Sequence, residues 1–532
     1  MKKTGVALLL AVLLAFLLPL TAYGHASLIK ASPEANSQVD RAPERVVLTF
    51  NERLEKQLFY LKVVDELGKP VTDKKAELSA DQTELSLTLP ALSNGTYVVT
   101  YHVVSADGHP VDGSHVLTVG PPRGQGALPQ GHEHQHELSG SMGLYEYLVF
   151  ASRIIYYFLL LALTGWVLWM SFFPERGERR EAHRMTAVGL QRGFLLSLLV
   201  LIFFHYRDLL GEGGLSDIGK LFTGTTIGVT WLLSLILSML GFVVLLRNRK
   251  LDVAWATALL AVKSLNGHAN AFEPQFLTLL LDFIHLVGAA IWAGGLLMLV
   301  SGWKQADWRE RFLPKFSSAA LYTLIVLGLT GIIQTLLFLP GLEYLLYSQW
   351  GTLLLIKTGL VVLVVLLAGG IRFVWKRRGQ ERTGTLIKLD LALMIVIVGL
   401  VGVLTYVTPI PPNKPLNWHE MGETIHMTTM ITPKEPGQDN TLITKIWLPD
   451  TMGAPKSVQL KLIPDPTKEI APITVPLETF NDPDFDGFLG FKRYSYKAVG
   501  PYLPFAGNWT IELRVMNPED DETVYRKEML LY

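Results

Sequence analysis

Long apolar runs dominate the middle of the chain, from residue 144 to residue 408. Eight of these runs approach the roughly 20 residues that an α-helix needs to cross the core of a bilayer. They lie at residues 144–173, 188–206, 227–246, 253–272, 277–302, 316–339, 350–375 and 386–408. The pattern therefore predicts a bundle of eight transmembrane helices.

Short segments rich in β-branched residues make up the two ends of the chain. Before the bundle they include Val46–Phe50 and Thr96–Val104, and Gly, Pro, Asn and Asp separate them. After the bundle, residues 442–448 and 509–516 alternate in the same way. Each end therefore predicts an all-β domain, the first a sandwich or barrel and the second a sandwich.

The first 24 residues are typical of a secretory signal peptide. Two lysines precede an apolar run from Val6 to Leu20, and small residues at Ala22 and Gly24 predict cleavage just before His25. The expected organisation is then a signal peptide (1–24), a β domain (25–120), a linker rich in Pro, Gly and His (121–143), a membrane domain (144–409) and a second β domain (410–532).

Basic residues are concentrated in alternate loops of the membrane domain. The loops after the first, third, fifth and seventh runs contain Arg176, Arg179, Arg180 and Arg184; Arg247, Arg249 and Lys250; Lys304, Arg309, Arg311 and Lys315; and Lys376, Arg377, Arg378, Arg382 and Lys388. The positive-inside rule places these loops in the cytoplasm. Both β domains are therefore expected outside a bacterial-type plasma membrane, as the signal peptide also requires.

The composition of the chain excludes several kinds of metal site and catalytic group. The chain has 532 residues, a mean hydropathy of +0.31 and no cysteine. Disulfides, iron–sulfur clusters, zinc–thiolate sites and cysteine nucleophiles are thereby excluded. The formal net charge of zero gives no global signal for nucleic acid. No P-loop or phosphorylated D-K-T-G sequence is present, so any transport would draw on a gradient or on trapping of the cargo.

A candidate metal site lies in the first domain. Asp107 and His109 follow a predicted strand and would point the same way in an extended segment. As the mature N-terminus, His25 would add an amine and a second imidazole. Nitrogen-rich, roughly square ligation suits Cu(II) above other first-row metals. The nearby His102 and His115 are interpreted as ordinary strand residues.

The motifs of this domain resemble those of the CopC family of secreted copper-binding domains. The resemblance is carried by His25-Ala26-Ser27, Ser32-Pro33, Leu48–Glu52 and Val103–Val111. It implies a Greek-key β-barrel with a tight Cu(II) site at His25, Asp107 and His109. It also places Glu52 near a position where some members offer a further carboxylate. The methionine-rich Cu(I) patch of the family has no counterpart, because no methionine lies between residues 25 and 141.

Ionisable residues within the apolar runs are functional hypotheses, because they are costly in a bilayer. His205, His268, His285 and Lys357 all fall in the outer half of the predicted membrane domain. Asp282 lies three residues before His285, on the same helical face, so its carboxylate is expected to orient the imidazole.

The membrane domain resembles the CopD family of copper-handling membrane proteins. The resemblance is carried by Gly267–Ala269, Asp282–His285, Trp292–Gly295 and by Trp350–Thr352 leading to Lys357. CopC and CopD domains fused in one chain are similar to copper transport proteins of the YcnJ type. The last domain resembles the YtkA-like sandwich found at that position.

Two further groups of residues are candidate accessory metal ligands. The linker contains His132, His134 and His136, which are read either as a loose metal-binding tract or as part of a solvated tether. The start of the last domain contains the soft donors His419, Met421, His426 and Met427, which would suit Cu(I) or simply pack on a strand.

The resulting hypothesis is a non-enzymatic copper importer of the plasma membrane. Cu(II) is captured by the first domain and passed to the intramembrane histidines, as Cu(II) or, after reduction, as Cu(I). An extracellular copper chaperone is a candidate partner. The alternatives left open are copper resistance by efflux or sequestration, a copper-brace oxidase, and a membrane b-type cytochrome with histidine haem ligands.

Overall fold

The structure comprises two β domains joined by a helical region, and it is a computed structural model. It describes residues 26–532 except residues 27, 34, 36, 40, 66–68, 121–143, 211–214, 340, 343, 378–379, 411–412, 414, 423, 467–469, 483–487 and 489. The predicted signal peptide, His25 and the linker histidines His132, His134 and His136 lie outside the described residues.

Within its described residues, the first domain has eight strands in two sheets. These are β1 (Leu28–Ser32), β2 (Ser37–Val39), β3 (Arg45–Phe50), β4 (Tyr60–Val64), β5 (Glu77–Leu78), β6 (Glu84–Thr88), β7 (Gly95–Val104) and β8 (Pro110–Val119). One sheet has the order β1-β3-β6-β5 and the other the order β2-β8-β7-β4. Alternate residues of β3, such as Val46, Leu48 and Phe50, are buried in the core. The predicted all-β domain is confirmed.

A tight turn joins β7 to β8 and carries the Asp107 and His109 motif. Val104 pairs with Pro110 at the end of the ladder. The Ser105 N–H donates to the His109 carbonyl at 2.8 Å, which closes the turn. Gly108 has a φ of +92°, a conformation that favours glycine. The turn therefore brings Asp107 and His109 together at the tip of the hairpin.

The helical region contains eleven helices within the described residues. They are α1 (Leu144–Phe172), α2 (Gly177–Leu210), α3 (Leu215–Gly224), α4 (Thr226–Val244), α5 (Arg249–Ser264), α6 (His268–Ala271), α7 (Gln275–Gly302), α8 (Ala306–Phe338), α9 (Tyr344–Tyr347), α10 (Gln349–Arg377) and α11 (Gln380–Leu404). By length and composition, seven of those described are suited to crossing a membrane, namely α1, α2, α4, α7, α8, α10 and α11.

The predicted count of eight spanning helices is corrected at the fourth apolar run, residues 253–272. Its helix α5 ends at Ser264 after 16 residues, which corresponds to about 24 Å against the roughly 30 Å of a bilayer core. The break follows from the polar sequence Asn266-Gly267-His268 within the run. Gly267 has a φ of +122°, and Lys263 Nζ donates to the Asn266 carbonyl at 2.6 Å. The chain then re-forms only the short helix α6.

Helix α1 lies at the centre of the bundle and packs against α2, α5, α7 and α11. Its crossing with α7 depends on small residues. A Cβ atom at Gly165 would lie 1.8 Å from the Ala290 carbonyl oxygen, and one at Gly294 would lie 2.2 Å from the Gly165 carbonyl carbon. Both distances are far below contact, so the two backbones approach this closely only because both positions are glycine. This crossing fixes α7, which carries Asp282 and His285.

The last domain is a two-sheet β structure. Its strands are β9 (Leu416–Met421), β10 (His426–Thr432), β11 (Asn440–Pro449), β12 (Ser457–Pro464), β13 (Ile473–Val475), β14 (Glu478–Thr479), β15 (Phe491–Gly500), β16 (Gly507–Met516) and β17 (Glu522–Leu531). The sheets have the orders β14-β15-β11-β10-β9 and β13-β12-β16-β17. Ile446, Leu513 and Trp509 are buried between them. The predicted fold class, an all-β domain on each side of a helical membrane region, is confirmed.

Replacing Gly294 by alanine is expected to destabilise the bundle by about 1–3 kcal/mol, because the new methyl group overpacks the α1–α7 crossing. The measurement is the thermal stability of the detergent-solubilised protein, followed by size-exclusion chromatography after heating. The matched control is Gly328→Ala on α8, where nothing lies within 4 Å of an added Cβ atom. Equal loss of stability in the two variants would contradict the assignment of the close crossing.

Candidate metal centre between the first domain and the bundle

The first domain rests on one end of the helical bundle, here called the docking end. An apolar cluster connects them, with Val104 of β7 packed among Leu209, Leu221, Ile227 and Trp231. At Gly108, an added Cβ atom would lie 2.6 Å from Ile227 Cδ1, so the turn itself is pressed against the start of α4. Burial of this apolar surface favours the docked position.

Hydrogen bonds secure the turn on both sides. Glu55 Oε1 accepts from the Thr226 backbone N–H at 2.9 Å, which places a carboxylate at the N-terminal end of α4. Arg53 Nη2 donates to the Asn270 carbonyl at 2.5 Å. Asn270 Nδ2 in turn donates to the Ala106 carbonyl at 3.0 Å. The tip of the hairpin is therefore anchored to both α4 and α6.

The Asp107 carboxylate contacts one histidine from each side of this interface. Its Oδ1 lies 2.9 Å from His109 Nδ1, and its Oδ2 lies 3.3 Å from His268 Nδ1. The Asp107 side chain is only 2% exposed and the His268 side chain 9%. His268 Nε2 is buried and has no hydrogen-bond partner within the described chain. Docking thus adds an imidazole of the bundle to the predicted Asp107–His109 pair.

Glu52 lies beside the same turn. Its Oε1 accepts a hydrogen bond from Ser105 Oγ at 2.8 Å. Burial, and after it the negative charge of Asp107, raise the pKa of Glu52 to about 8 against the opposing effect of the Ser105 hydrogen bond. Two acidic side chains close together in a poorly solvated place favour a bound cation. Glu52 thus lies close to Asp107, and its role at a metal site stays a prediction.

Those donors do not form a complete metal site by themselves. In the described part of the chain, no group of three or more His, Asp or Glu side chains is arranged to hold a metal ion. His25, the predicted source of an amine and an imidazole, is not among the described residues. The next residue, Ala26, is buried in the core of the first domain. The ligand set His25, Asp107 and His109 therefore stays a prediction.

A cavity of about 40 Å³ lies below Asp107 and His109, and Arg153, His205 and Lys263 contribute to its lining. Both nitrogens of His205 are hydrogen-bonded. Its Nδ1 lies 2.9 Å from the Leu201 carbonyl, and its Nε2 lies 3.2 Å from Arg153 Nη1. Because a carbonyl only accepts and a guanidinium only donates, Nδ1 carries the proton and Nε2 accepts. The structure holds His205 in place through these two bonds.

His285 lies deeper along α7, about 15 Å from the start of the helix. Its Nδ1 lies 2.8 Å from Thr330 Oγ1 on α8. The Thr330 hydroxyl donates to the Val326 carbonyl at 2.8 Å, so it accepts from the His285 Nδ1–H. In this tautomer Nε2 keeps the lone pair that a metal ion requires.

Asp282 has a different partner from the one expected. It accepts a hydrogen bond from Gln334 and lies within electrostatic reach of Lys263, Lys357 and His268. Lys357 also lies within electrostatic reach of His285. The acid is therefore grouped with two lysines between the levels of His268 and His285, while Thr330 orients His285. No pattern along the sequence pointed to Thr330, since a threonine in an apolar helix has no distinguishing spacing.

His102 and His115, interpreted from the sequence as ordinary strand residues, are on β7 and β8. His102 Nδ1 is 2.6 Å from Asp112 Oδ1, and its ring stacks on Tyr60. In the last domain, His419 is on β9 and His426 on β10. Interface residues such as Glu55 and Asn270 were missed because their partners are distant in sequence.

Comparison with known proteins identifies the families of the first domain and of the later part of the helical region. Residues 28–120 match the CopC domain family, and residues 310–404 match the family described as copper resistance protein D, or CopD. The protein YobA of Escherichia coli (strain K12) is 34% identical over 112 residues, which cover 90% of YobA and 21% of this chain. The chain belongs to the family of CopC–CopD fusion proteins.

One relative extends over most of this fusion. The copper transport protein CutJ of Bacillus subtilis (strain 168) is 27% identical over 475 residues, or 82% of this chain and 85% of CutJ. Among solved structures, CopC from Methylosinus trichosporium OB3b is 36% identical and covers 19% of this chain and 98% of its own, with a TM-score of 0.18. The CopD match covers α8 to α11, so the motifs containing His268 and His285 precede it.

Removing the Glu55 carboxylate is expected to loosen the docked turn. In Glu55→Ala, the first N–H groups of α4 lose a buried charged acceptor, which we expect to cost about 1–2 kcal/mol. Hydrogen–deuterium exchange on the purified full chain should then be about tenfold faster in the peptide that contains residues 104–109. The control is Glu44→Ala, an exposed carboxylate of the same domain. Unchanged exchange in Glu55→Ala would show that this contact does not hold the turn.

Proposed function

We propose that this chain imports copper across the plasma membrane, with Cu(II) captured by the CopC domain and delivered to histidines of the bundle. The single observation that carries the proposal is the Asp107 carboxylate, which contacts His109 of the first domain and His268 of the bundle. A ligand shared between two domains offers a metal ion a route from one to the other without release into water.

The capture step uses the donors of the first domain. His25 supplies its amine and imidazole, His109 a second imidazole and Asp107 a carboxylate, with Glu52 beside them. This set is rich in nitrogen and lacks sulfur, a combination that favours Cu(II). An extracellular copper chaperone that exchanges ligands at the same site is a candidate donor of the ion.

The transfer step uses His268. Its Nε2 has no hydrogen-bond partner within the described residues, so a metal ion does not have to displace an existing bond there. Asp107 keeps contact with both rings, which allows stepwise exchange of one imidazole for another. Stepwise exchange avoids a bare ion in a poorly solvated site, where isolated charges are costly.

The path then continues inward to His285, whose Nε2 carries a free lone pair in the tautomer set by Thr330. Between the two levels lie Asp282 and Lys357, and His205 lines the cavity above. The lysines and Arg153 oppose a dication more strongly than a monocation, which favours Cu(I) beyond His268 once a one-electron reductant from outside the chain has reduced Cu(II). No catalytic chemistry on an organic substrate is part of this proposal.

Import is preferred because the resemblance to fused proteins of the YcnJ type implies uptake. The relative that extends over most of the chain is named a copper transport protein, which supports transport without giving its direction. The matched membrane family is named for copper resistance, which favours efflux or sequestration as the second candidate. Cellular copper content distinguishes the two directions.

Cells that produce the intact chain are expected to accumulate several-fold more copper under copper limitation than cells that lack it. His285→Ala should behave like the deletion, because the proposed path loses its imidazole within the bundle. The measurement is cell copper by mass spectrometry at matched expression. Ile284→Ala is the control, since the neighbouring side chain is 37% exposed on the surface of the bundle. Higher copper in the deletion and in His285→Ala would instead establish efflux or resistance.

Different mutations are expected to impair the capture of copper and its transfer into the bundle. His109→Ala should weaken Cu(II) binding to the purified chain by at least about tenfold, because a direct ligand is lost. His268→Ala should keep the Cu(II) affinity and lower cellular accumulation. Competitive titration monitored by electron paramagnetic resonance gives the affinity. A His268→Ala variant that accumulates copper normally would refute the transfer step.

A further inference from the structure

The outer face of the five-stranded sheet in the last domain gathers soft donors that the copper path above does not use. In the β9–β10 ladder His426 is opposite Met421, and in the β10–β11 ladder it is opposite Trp447. One step along, His419 is opposite Thr428. Because facing residues in a ladder share a side of the sheet, these side chains project from one face.

The same alternation removes Met427 from this group. Met427 is fully buried in the core between the two sheets, on the opposite face from its neighbour His426. Met430 lies four residues beyond His426, on the same face as the histidine. The methionines available to a ligand on this face are therefore Met421 and Met430, and Met421 is 66% exposed at the edge of the sheet.

His426 is the unusual member of the face. The residue is only 8% exposed, and its Nδ1 is buried with no hydrogen-bond partner among the residues described. Leaving such a buried nitrogen without a partner is energetically unfavourable. By contrast, His419 Nδ1 is 2.8 Å from Thr428 Oγ1. An unsatisfied imidazole nitrogen directly across the ladder from an exposed thioether points to a ligand that binds both.

Aromatic rings enclose the His426 imidazole. Its centroid lies 4.5 Å from that of Phe491 and 5.2 Å from that of Phe488, and Phe488 also contacts Trp447 at 5.2 Å. The His419 ring stacks on Phe488, with 6.0 Å between the two ring centroids. Such a wall excludes water and penalises a doubly charged, strongly hydrated ion, whereas a soft monovalent cation interacts favourably with ring faces.

The charged groups nearby are already paired. One step from His426 along the same face, Lys445 Nζ lies 3.1 Å from Asp482 Oδ2, and Arg493 lies 3.8 Å from the same carboxylate oxygen. The carboxylate is thus held by two cations, which leaves neutral nitrogen and sulfur as the donors that face a ligand.

We propose that His426 Nδ1 and Met421 Sδ form a Cu(I) site on the outer face of the last domain, with His419 as a neighbouring donor. Thioether sulfur and imidazole nitrogen within an aromatic enclosure select Cu(I), or its analogue Ag(I), over Cu(II). This site is independent of the Asp107 centre and of the direction of transport.

The test is an anaerobic Cu(I) titration of the full chain in nanodiscs against a chromophoric Cu(I) chelator. Every protein carries His109→Ala, so that the first domain contributes less to the number of Cu(I) ions bound per chain. Chains with an otherwise intact last domain are expected to bind one more Cu(I) than chains with Met421→Leu or His426→Gln. Met427→Leu is the matched control, since it changes a methionine of the same sheet on the opposite face and should leave the count unchanged.

X-ray absorption of the Cu(I)-loaded chain gives a second readout. The sulfur scattering around copper should fall in Met421→Leu and persist in Met427→Leu. Because Met421 is exposed, its replacement by leucine does not threaten the fold. Equal Cu(I) counts with and without Met421, or equal loss in Met427→Leu, would overturn the site. Neither result would alter the outcome of the copper accumulation experiment, so the two proposals fail separately.

Discussion

A single buried carboxylate, that of Asp107, governs how the two halves of this molecule meet. Burying a charge is expensive unless it is paired and hydrogen-bonded. Asp107 meets that requirement with His109 from its own hairpin and His268 from the bundle. Contact with His268 therefore stabilises the docked position of the hairpin. The contacts made by Glu55, Arg53 and Asn270 stabilise the same position. Removing either histidine would leave the carboxylate poorly compensated.

The bundle has a corresponding constraint in the crossing of α1 and α7. Backbones that touch at Gly165 and Gly294 leave no freedom for α7 to slide or rotate without a clash. That helix carries Asp282 and His285, and its first turn follows α6, which carries His268. A rigid crossing thus sets the spacing between the interface histidine and the deeper one. The position of His285 is refined locally by Thr330 on α8.

The fold class and the domain order were predictable because hydrophobic periodicity is a local property of the sequence. The count of spanning helices failed at residues 253–272, because averaging over an apolar run hides a short polar break at Asn266-Gly267. The Asp107–His109 pair was predictable from spacing, but its contact with His268 was not, since tertiary docking brings together segments that are distant in sequence. Met427, by contrast, could be excluded as a partner of His426 from the sequence, because adjacent residues of a strand point to opposite faces of the sheet.

In a chain without cysteine, selection between the two oxidation states of copper has to come from nitrogen and oxygen donors on one side and thioethers on the other. The distribution of methionine follows that division. The first domain has none between residues 25 and 141, and its candidate donors are His and carboxylate. The last domain places Met421 and Met430 on the face that also carries His426 and its aromatic enclosure. The proposed Cu(II) and Cu(I) sites lie on the two β domains with the helical bundle between them, an arrangement in which the oxidation state of the ion would decide which domain holds it.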